Sequence, residues 1–508
     1  MQKTVKKQSG TFLRQAGVLM PVSALPSPYG IGTLGEGAYA FVDWLSSAGM
    51  KVWQVLPLLP TGYGDSPYQS CSSEALNYYF IDFTLLKEDG LLKEEDYQSV
   101  VWCEEERRVD YGKQFAYKTE ILKKAFANFD KEDKAFVGFL TEGRYRDFAL
   151  FMSLKRKFSY RPWTEWDPPY CRYDGEVLRR YEEENREEIL FWQFTQFIFL
   201  KQWQALKNYA TEKGIKIMGD MPIYVALDSV ESWKDRRRLF ILDGEDNISL
   251  RAGVPPDAFS EDGQLWGNPV YDWEKMKKDN YAWWKERIRY AFTLFDVLRI
   301  DHFRGFDRFF AVPKDAETAK EGKWYKGPGA ALFKDMKHLP IVAEDLGMID
   351  DSVRKMMKQT GYPGMKVFLF GFDGDPTCEH KPTQYPQNVV AYTGTHDNDT
   401  LAGYIVGLEK SERAAFEKEF ETECLQADVP YITESTETEC ESAVELVFSS
   451  KANLVIVPMQ DVLCMGNEAR MNAPSTVDGK NWTFRFTQKD FKRRKAAWLK
   501  ELCTRYRR

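Results

Sequence analysis

The chain has 508 residues, 43% hydrophobic and 29% charged, and a formal net charge of −7. Length and apolar content support a large core and exclude a disordered chain, and the acidic balance argues against nucleic acid or an anionic membrane as the main partner. Eight cysteines without close pairing or ligand spacing, with four histidines in all, argue against a metal site and fit reduced thiols in a cytoplasmic protein.

The first residues, Met1-Gln-Lys-Thr-Val-Lys-Lys7, are basic but have no apolar run behind them, so they do not read as a signal peptide. No run approaches the ~18 apolar residues that a membrane helix needs. A first strand is expected at Gly17-Val-Leu-Met20 and a helix over 37–47. A second strand, Val52-Trp-Gln-Val-Leu56, runs into the long loop Pro60-Thr-Gly-Tyr-Gly-Asp-Ser-Pro-Tyr-Gln69. Gly30-Ile-Gly-Thr-Leu-Gly35 matches the dinucleotide fingerprint by letter, yet Pro26 and Pro28 stand where its strand should be and no acid follows near 20 residues on, so a loop is expected.

Residues 86–210 alternate charged and apolar positions at helical spacing over a length no barrel helix needs, which predicts an inserted helical subdomain. Ile215-Lys-Ile-Met-Gly-Asp220 resumes the strands, and a second, loop-rich insertion is expected over 226–275, where Pro and Gly cluster. A helix over 279–293 precedes the strand Phe295-Asp-Val-Leu-Arg-Ile300. Further strands follow at Ile341-Val-Ala343, Lys366-Val-Phe-Leu-Phe370, Val389-Val-Ala-Tyr392 and Leu454-Val-Ile-Val457, with an acidic amphipathic stretch over 409–450. Eight such strands alternating with helices predict an α/β chain: one (β/α)8 TIM barrel over 1–508, interrupted by insertions at the C-terminal face of the barrel and carrying no separate carbohydrate-binding module.

Three of the strands end in acids: Val297-Leu-Arg-Ile-Asp-His-Phe-Arg-Gly305, Ile341-Val-Ala-Glu-Asp-Leu-Gly347 and Val389-Val-Ala-Tyr-Thr-Gly-Thr-His-Asp-Asn-Asp399. Carboxylates gathered at the C-terminal ends of barrel strands are the equipment for cleaving glycosidic bonds, where one must stay ionised and another must hold a proton. Arg299 and Asp301 are two apart on a strand and share a face, so the cation favours the ionised form a nucleophile needs; taken alone, the same pair reads as a structural ion pair. Glu344, after three apolar residues, is placed for the desolvation that suits a general acid, but Asp345 points the other way and competes for the role, because the register is open. His396 and Asp397 could hold sugar hydroxyls or, with few other ligands in the chain, a metal. The whole chain holds 15 Trp and 26 Tyr; core and surface packing accounts for most of them, and the surplus beside a carboxylate cluster supports carbohydrate, whose apolar C–H faces stack on aromatic rings.

Several motifs are long enough to be specific: Leu25-Pro-Ser-Pro-Tyr-Gly-Ile-Gly32, Gly62-Tyr-Gly-Asp-Ser-Pro-Tyr-Gln69, Gly219-Asp-Met-Pro-Ile-Tyr-Val225, Leu298-Arg-Ile-Asp-His-Phe-Arg-Gly305, Gly394-Thr-His-Asp-Asn-Asp-Thr400 and Arg470-Met-Asn-Ala-Pro474. In order and spacing they resemble those of the 4-α-glucanotransferases, the amylomaltase or disproportionating-enzyme family (glycoside hydrolase family 77). The resemblance implies Asp301 as nucleophile, Glu344 as acid/base and Asp397 as transition-state stabiliser. It further implies substrate contacts from Tyr68, Asp220, Gln264, Trp266, Arg299, His396 and Asn472. Ser475 departs from the glycine the family usually carries after the proline of this last loop.

The expected activity is transfer of segments of linear α-1,4-glucans and malto-oligosaccharides to glucose or another glucan, with no cofactor and no metal. An α-1,4-glucan hydrolase of amylase type is the nearest alternative, and a silent glucan-binding protein on the same scaffold a more distant one.

Overall fold

The computed structural model describes residues 14–256, 261–347 and 349–508; the basic stretch 1–7 and Asp257 of the second insertion lie outside them. The described strands, in chain order, are β1 (Gln15–Leu19), β2 (Val52–Gln54), β3 (Lys216–Met221), β4 (Leu250–Val254), β5 (Gln264–Pro269) and β6 (Val297–Ile300). They continue with β7 (Arg308–Pro313), β8 (Lys323–Lys326), β9 (Ile341–Ala343), β10 (Gly364–Val367), β11 (Val389–Tyr392) and β12 (Leu454–Pro458).

Eight of them form one sheet in the order β10-β11-β12-β1-β2-β3-β6-β9, with every pairing parallel. β6, β9, β10, β11 and β12 are buried at every position, as expected of strands covered by side chains within the barrel and by helices without. The two edges of the sheet meet. The Ala343 amide donates to the Pro363 carbonyl at 2.9 Å, and the Asp345 carboxylate accepts the Met365 amide at 2.6 Å. Asp345 therefore stitches β9 to β10 and closes the (β/α)8 barrel. Gly364 makes room for it, since a Cβ there would fall 2.2 Å from the Asp345 carboxylate.

Each expected strand is present to within a few residues. The Lys366–Phe370 expectation is the most displaced: the strand is Gly364–Val367, and Phe368–Phe370 is a 3-10 turn. Between β2 and β3 the chain is helical at 119–127, 134–142, 146–157 and 175–184, ending in the 27-residue helix Arg186–Glu212. That last helix is tied to the connection after β2. Gln196 bonds both backbone groups of Leu76, and Gln202 bonds those of Asp82, so two buried amides satisfy a non-repetitive segment.

The stretch 226–275, expected to be loop-rich, holds two short helices, the start of a third and the strands β4 and β5. These join β7 and β8 in an antiparallel sheet ordered β5-β4-β7-β8 beside the barrel mouth. The fingerprint-like stretch 30–35 is a loop, as expected; Gly35 caps the helix Glu36–Ser47, and a Cβ at Gly32 would lie 1.7 Å from the Val22 carbonyl oxygen. Among the described residues no helix is long and apolar enough to cross a membrane.

Candidate active site

The C-terminal ends of β3, β6, β9 and β11 converge on one cluster of charge. Arg299, on β6 and 3% exposed, is its organising group. One terminal nitrogen contacts both carboxylate oxygens of Asp220 on β3 at 2.8 and 2.7 Å, and the other reaches Asp301 at 3.0 Å. Alternation along the strand makes this possible: Arg299 and Asp301 are on the inner face, while Leu298 and Ile300 point into the apolar layer outside. Both carboxylates therefore have a buried partner, without which their desolvation would be costly. Below them the Tyr392 hydroxyl donates to Gln54 at 2.9 Å, filling the barrel with a neutral hydrogen bond.

Glu344 is the first residue beyond β9. Its two oxygens accept backbone amides, Oε2 from His302 and Oε1 from Leu346, each at 2.7 Å. Burial, added to by the negative charge of Asp301, pushes its carboxyl up to about 8, so the group holds a proton at neutral pH. The tie between Glu344 and Asp345 is thus separated by geometry: the first faces Asp301 inside the barrel, and the second is spent on the β9–β10 seam.

Asp397 and His396 follow β11. The His396 Nε2 lies 3.3 Å from Asp397, and Asn472 donates to the other Asp397 oxygen at 2.7 Å. Arg470 fixes the loop from beneath by bonding the Asp397 carbonyl at 2.7 Å, the Asn472 carbonyl at 2.9 Å and the Asp399 carboxylate at 2.5 Å. Tyr68 donates to Asp220 at 2.9 Å and stacks on His396, ring centroids 5.2 Å apart at 14°. Trp482 leans against both rings.

Above this cluster lies a cleft of about 600 Å³ lined by Tyr68, Asp301, His396, Asp397 and Asn472 on one side and by Gln264 and Trp266 on the other. Gln264, Trp266 and Asn268 are alternate residues of β5 and face the cleft together, with the Trp266 indole donating to Gln264 at 3.1 Å. Gln69 ties this strand to the 60–69 loop through the Trp266 carbonyl and Asn268, each at 3.1 Å. Ser475, also at the cleft, has φ of 64°, a left-handed value that glycine adopts without steric cost. Among the described residues no group of three or more His, Cys, Asp or Glu could hold a metal ion.

All ten residues expected from the sequence take part in this constellation. Gln69, Asn268, Arg470, Trp482 and His302 were not singled out. Gln69, Arg470 and His302 belong to the quoted motifs, but nothing local marks their roles; Trp482 arrives through a fold contact no pattern encodes.

A parallel barrel carrying a paired carboxylate, a protonated buried carboxyl and a third acid on an aromatic-lined cleft defines a carboxylate-based enzyme of glycosidic bonds. The 4-alpha-glucanotransferase family model (glycoside hydrolase family 77) matches residues 20–490, and the chain belongs to that family. It is similar to the 4-alpha-glucanotransferase of Clostridium butyricum, 44% identical over 92% of this chain and 95% of the relative, and to that of Thermus thermophilus, 42% identical over 93% and 94%. Among solved structures, the amylomaltase from Streptococcus agalactiae in complex with acarbose superimposes with a TM-score of 0.92 at 40% identity, covering 97% of this chain and 99% of that one. The activity is therefore 4-α-glucanotransfer, and the amylase-type hydrolase is not favoured.

Proposed function

We propose that the chain transfers segments of linear α-1,4-glucans and malto-oligosaccharides to the 4-OH of glucose or another glucan by retaining double displacement. Asp301 is the nucleophile: its oxygen bonds the anomeric carbon as the glycosidic C–O bond breaks. Glu344 donates its proton to the leaving oxygen, so the released chain departs as an alcohol and the enzyme carries a glucosyl ester on Asp301. Glu344, now ionised, takes the proton from the 4-OH of the acceptor, whose oxygen displaces Asp301 and restores the starting state. Asp397 stabilises the oxocarbenium-like charge, and His396, Asn472, Asp220 and Arg299 hold sugar hydroxyls and the nucleophile in place.

The observation that carries this reading is the contrast in surroundings between neighbouring carboxyls: Asp301 is paired with Arg299 at 3.0 Å, and Glu344 is pushed up to about 8 by burial. Two carboxyls in environments that differ in this way support the assignment of one as nucleophile and the other as acid. Acarbose in the Streptococcus agalactiae amylomaltase supports an oligosaccharide ligand for the cleft. Tyr68, Gln264 and Trp266 favour sugar over water as second reactant by stacking on the acceptor and covering the intermediate. A single inserted barrel, with 86–210 and 226–275 as its insertions, is the domain organisation that fits; a cytoplasmic location fits its soluble glucan substrates.

Incubation with maltotriose tests the proposal. A ladder of longer maltodextrins together with glucose is expected, and shortening alone would rule out transfer. Asp301→Asn is expected to lower kcat by about 10⁴-fold or more.

A further inference from the structure

His302 directly follows Asp301 and has a backbone that few non-glycine residues adopt, φ 47° and ψ 50°. The left-handed turn has a visible effect: it sends two successive amides to one residue just beyond the neighbouring strand β9. The His302 amide donates to the Glu344 carboxylate at 2.7 Å, and the Phe303 amide donates to the Glu344 carbonyl at 3.0 Å. The side chain is used in the opposite direction. Its ring sits edge-on to Trp266 of β5, centroids 4.9 Å apart at 83°, and close packing under it is made possible by Gly305, where a Cβ would lie 3.1 Å from the His302 Cδ2. Burial lowers the imidazole to about 4, so the ring is neutral under working conditions and is not a proton carrier.

We infer that His302 is a positioning residue that couples the covering strand to the acid/base: its backbone orients Glu344 and its ring registers where Trp266 stands. The residue touches both, Glu344 through its amide and Trp266 through its ring. When a sugar in the cleft holds Trp266 down, His302 is braced and Glu344 keeps the orientation that serves the second, proton-accepting step. When Trp266 lifts, the brace is lost together with the cover that excludes water. Selection of sugar over water and placement of the base are thereby set by one contact. This inference rests on the assignment of Glu344 as acid/base given above.

Two variants separate backbone from ring. His302→Asn keeps a residue that tolerates the left-handed turn but removes the ring; with maltotriose it is expected to raise the share of donor hydrolysed to several times that of the parent, while kcat falls far less than in a variant that breaks the turn. His302→Val disfavours the turn itself, and is expected to lower kcat about 100-fold through misplacement of Glu344 and to move the basic limb of the pH profile. Trp266→Leu is expected to repeat the Asn effect, and the double variant Trp266→Leu/His302→Asn to add little to either single change. A parental ratio of transfer to hydrolysis in His302→Asn would overturn the coupling, as would simple additivity in the double variant. A His302→Val enzyme with parental kcat and pH limb would overturn the backbone role. Glu344→Gln separates this failure from that of the underlying reading: if it stayed active the acid/base assignment would fall, whereas an inactive Glu344→Gln beside a parental His302→Asn removes only the coupling.

Discussion

Arg299 reaches two carboxylates from inside a barrel, and the cost of breaking that arrangement is the cost of leaving buried charge without a partner. Arg299→Ala leaves Asp220 and Asp301 facing one another and is expected to destabilise the fold by about 3–5 kcal/mol, measured by urea unfolding. Arg299→Lys retains the charge but offers one nitrogen where two are used, so both the Asp220 and Asp301 contacts cannot be kept. Glu344 makes a pH prediction whose sign follows from its state. Its proton is present below about 8 and is lost above, so kcat/KM is expected to fall as pH rises through about 8. Glu344→Gln is expected to be inactive on maltotriose yet to regain glycosyl transfer to the enzyme from a glucosyl fluoride donor, whose leaving group needs no proton. The same carboxyls show where sequence reasoning stops at this scale. Arg299 and Asp301 share a face by strand alternation alone, which was readable; Glu344 against Asp345 was not readable from alternation, because adjacent residues face opposite sides, and it took the family resemblance to favour Glu344 and the pairing of Asp345 with the Met365 amide to show which way each side chain faces.

At the level of elements, the barrel strands were legible because each is a short apolar run bounded by Gly, Pro or acid, and burial on both faces removes the ambiguity of a half-exposed strand. The β5-β4-β7-β8 sheet was not legible. β8 is largely exposed, and β4 and β5 lie among glycines and prolines that punctuate loops equally well. The second partner of β4, β7, is more than fifty residues from it in sequence and announces itself by no local turn. β5 of that sheet presents Gln264, Trp266 and Asn268 to the cleft. The β9–β10 seam offers a second test. Gly364→Ala forces the added methyl against the Asp345 carboxylate and is expected to cost about 1–3 kcal/mol in stability. Because Asp345 adjoins Glu344, the same variant is expected to lose activity at temperatures where it remains folded, which circular dichroism and maltotriose assays on one sample would compare.

For the whole molecule, the chain's two described ends meet at the bottom of the barrel, away from the cleft. Arg14 and Arg508 both donate to the Ser450 carbonyl, at 2.9 and 2.8 Å, and Arg508 also reaches the Ala452 carbonyl at 2.8 Å. The helix Arg493–Arg505 buries Leu499, Leu502 and Cys503, and the Trp44 indole of helix Glu36–Ser47 donates to the Lys492 carbonyl at 3.3 Å. Removing residues 493–508 exposes that apolar face and is expected to lower Tm and the urea midpoint, with kcat of the folded fraction little changed because the cleft lies at the opposite end. The central claim concerns the intermediate that links the two halves of transfer. Mass spectrometry of the Glu344→Gln enzyme after reaction with a glucosyl fluoride tests it most directly. A single added glucosyl group on the peptide containing Asp301 is the predicted result; an unmodified Asp301 peptide, or a label on Glu344, Asp397 or Asp220 instead, would contradict it.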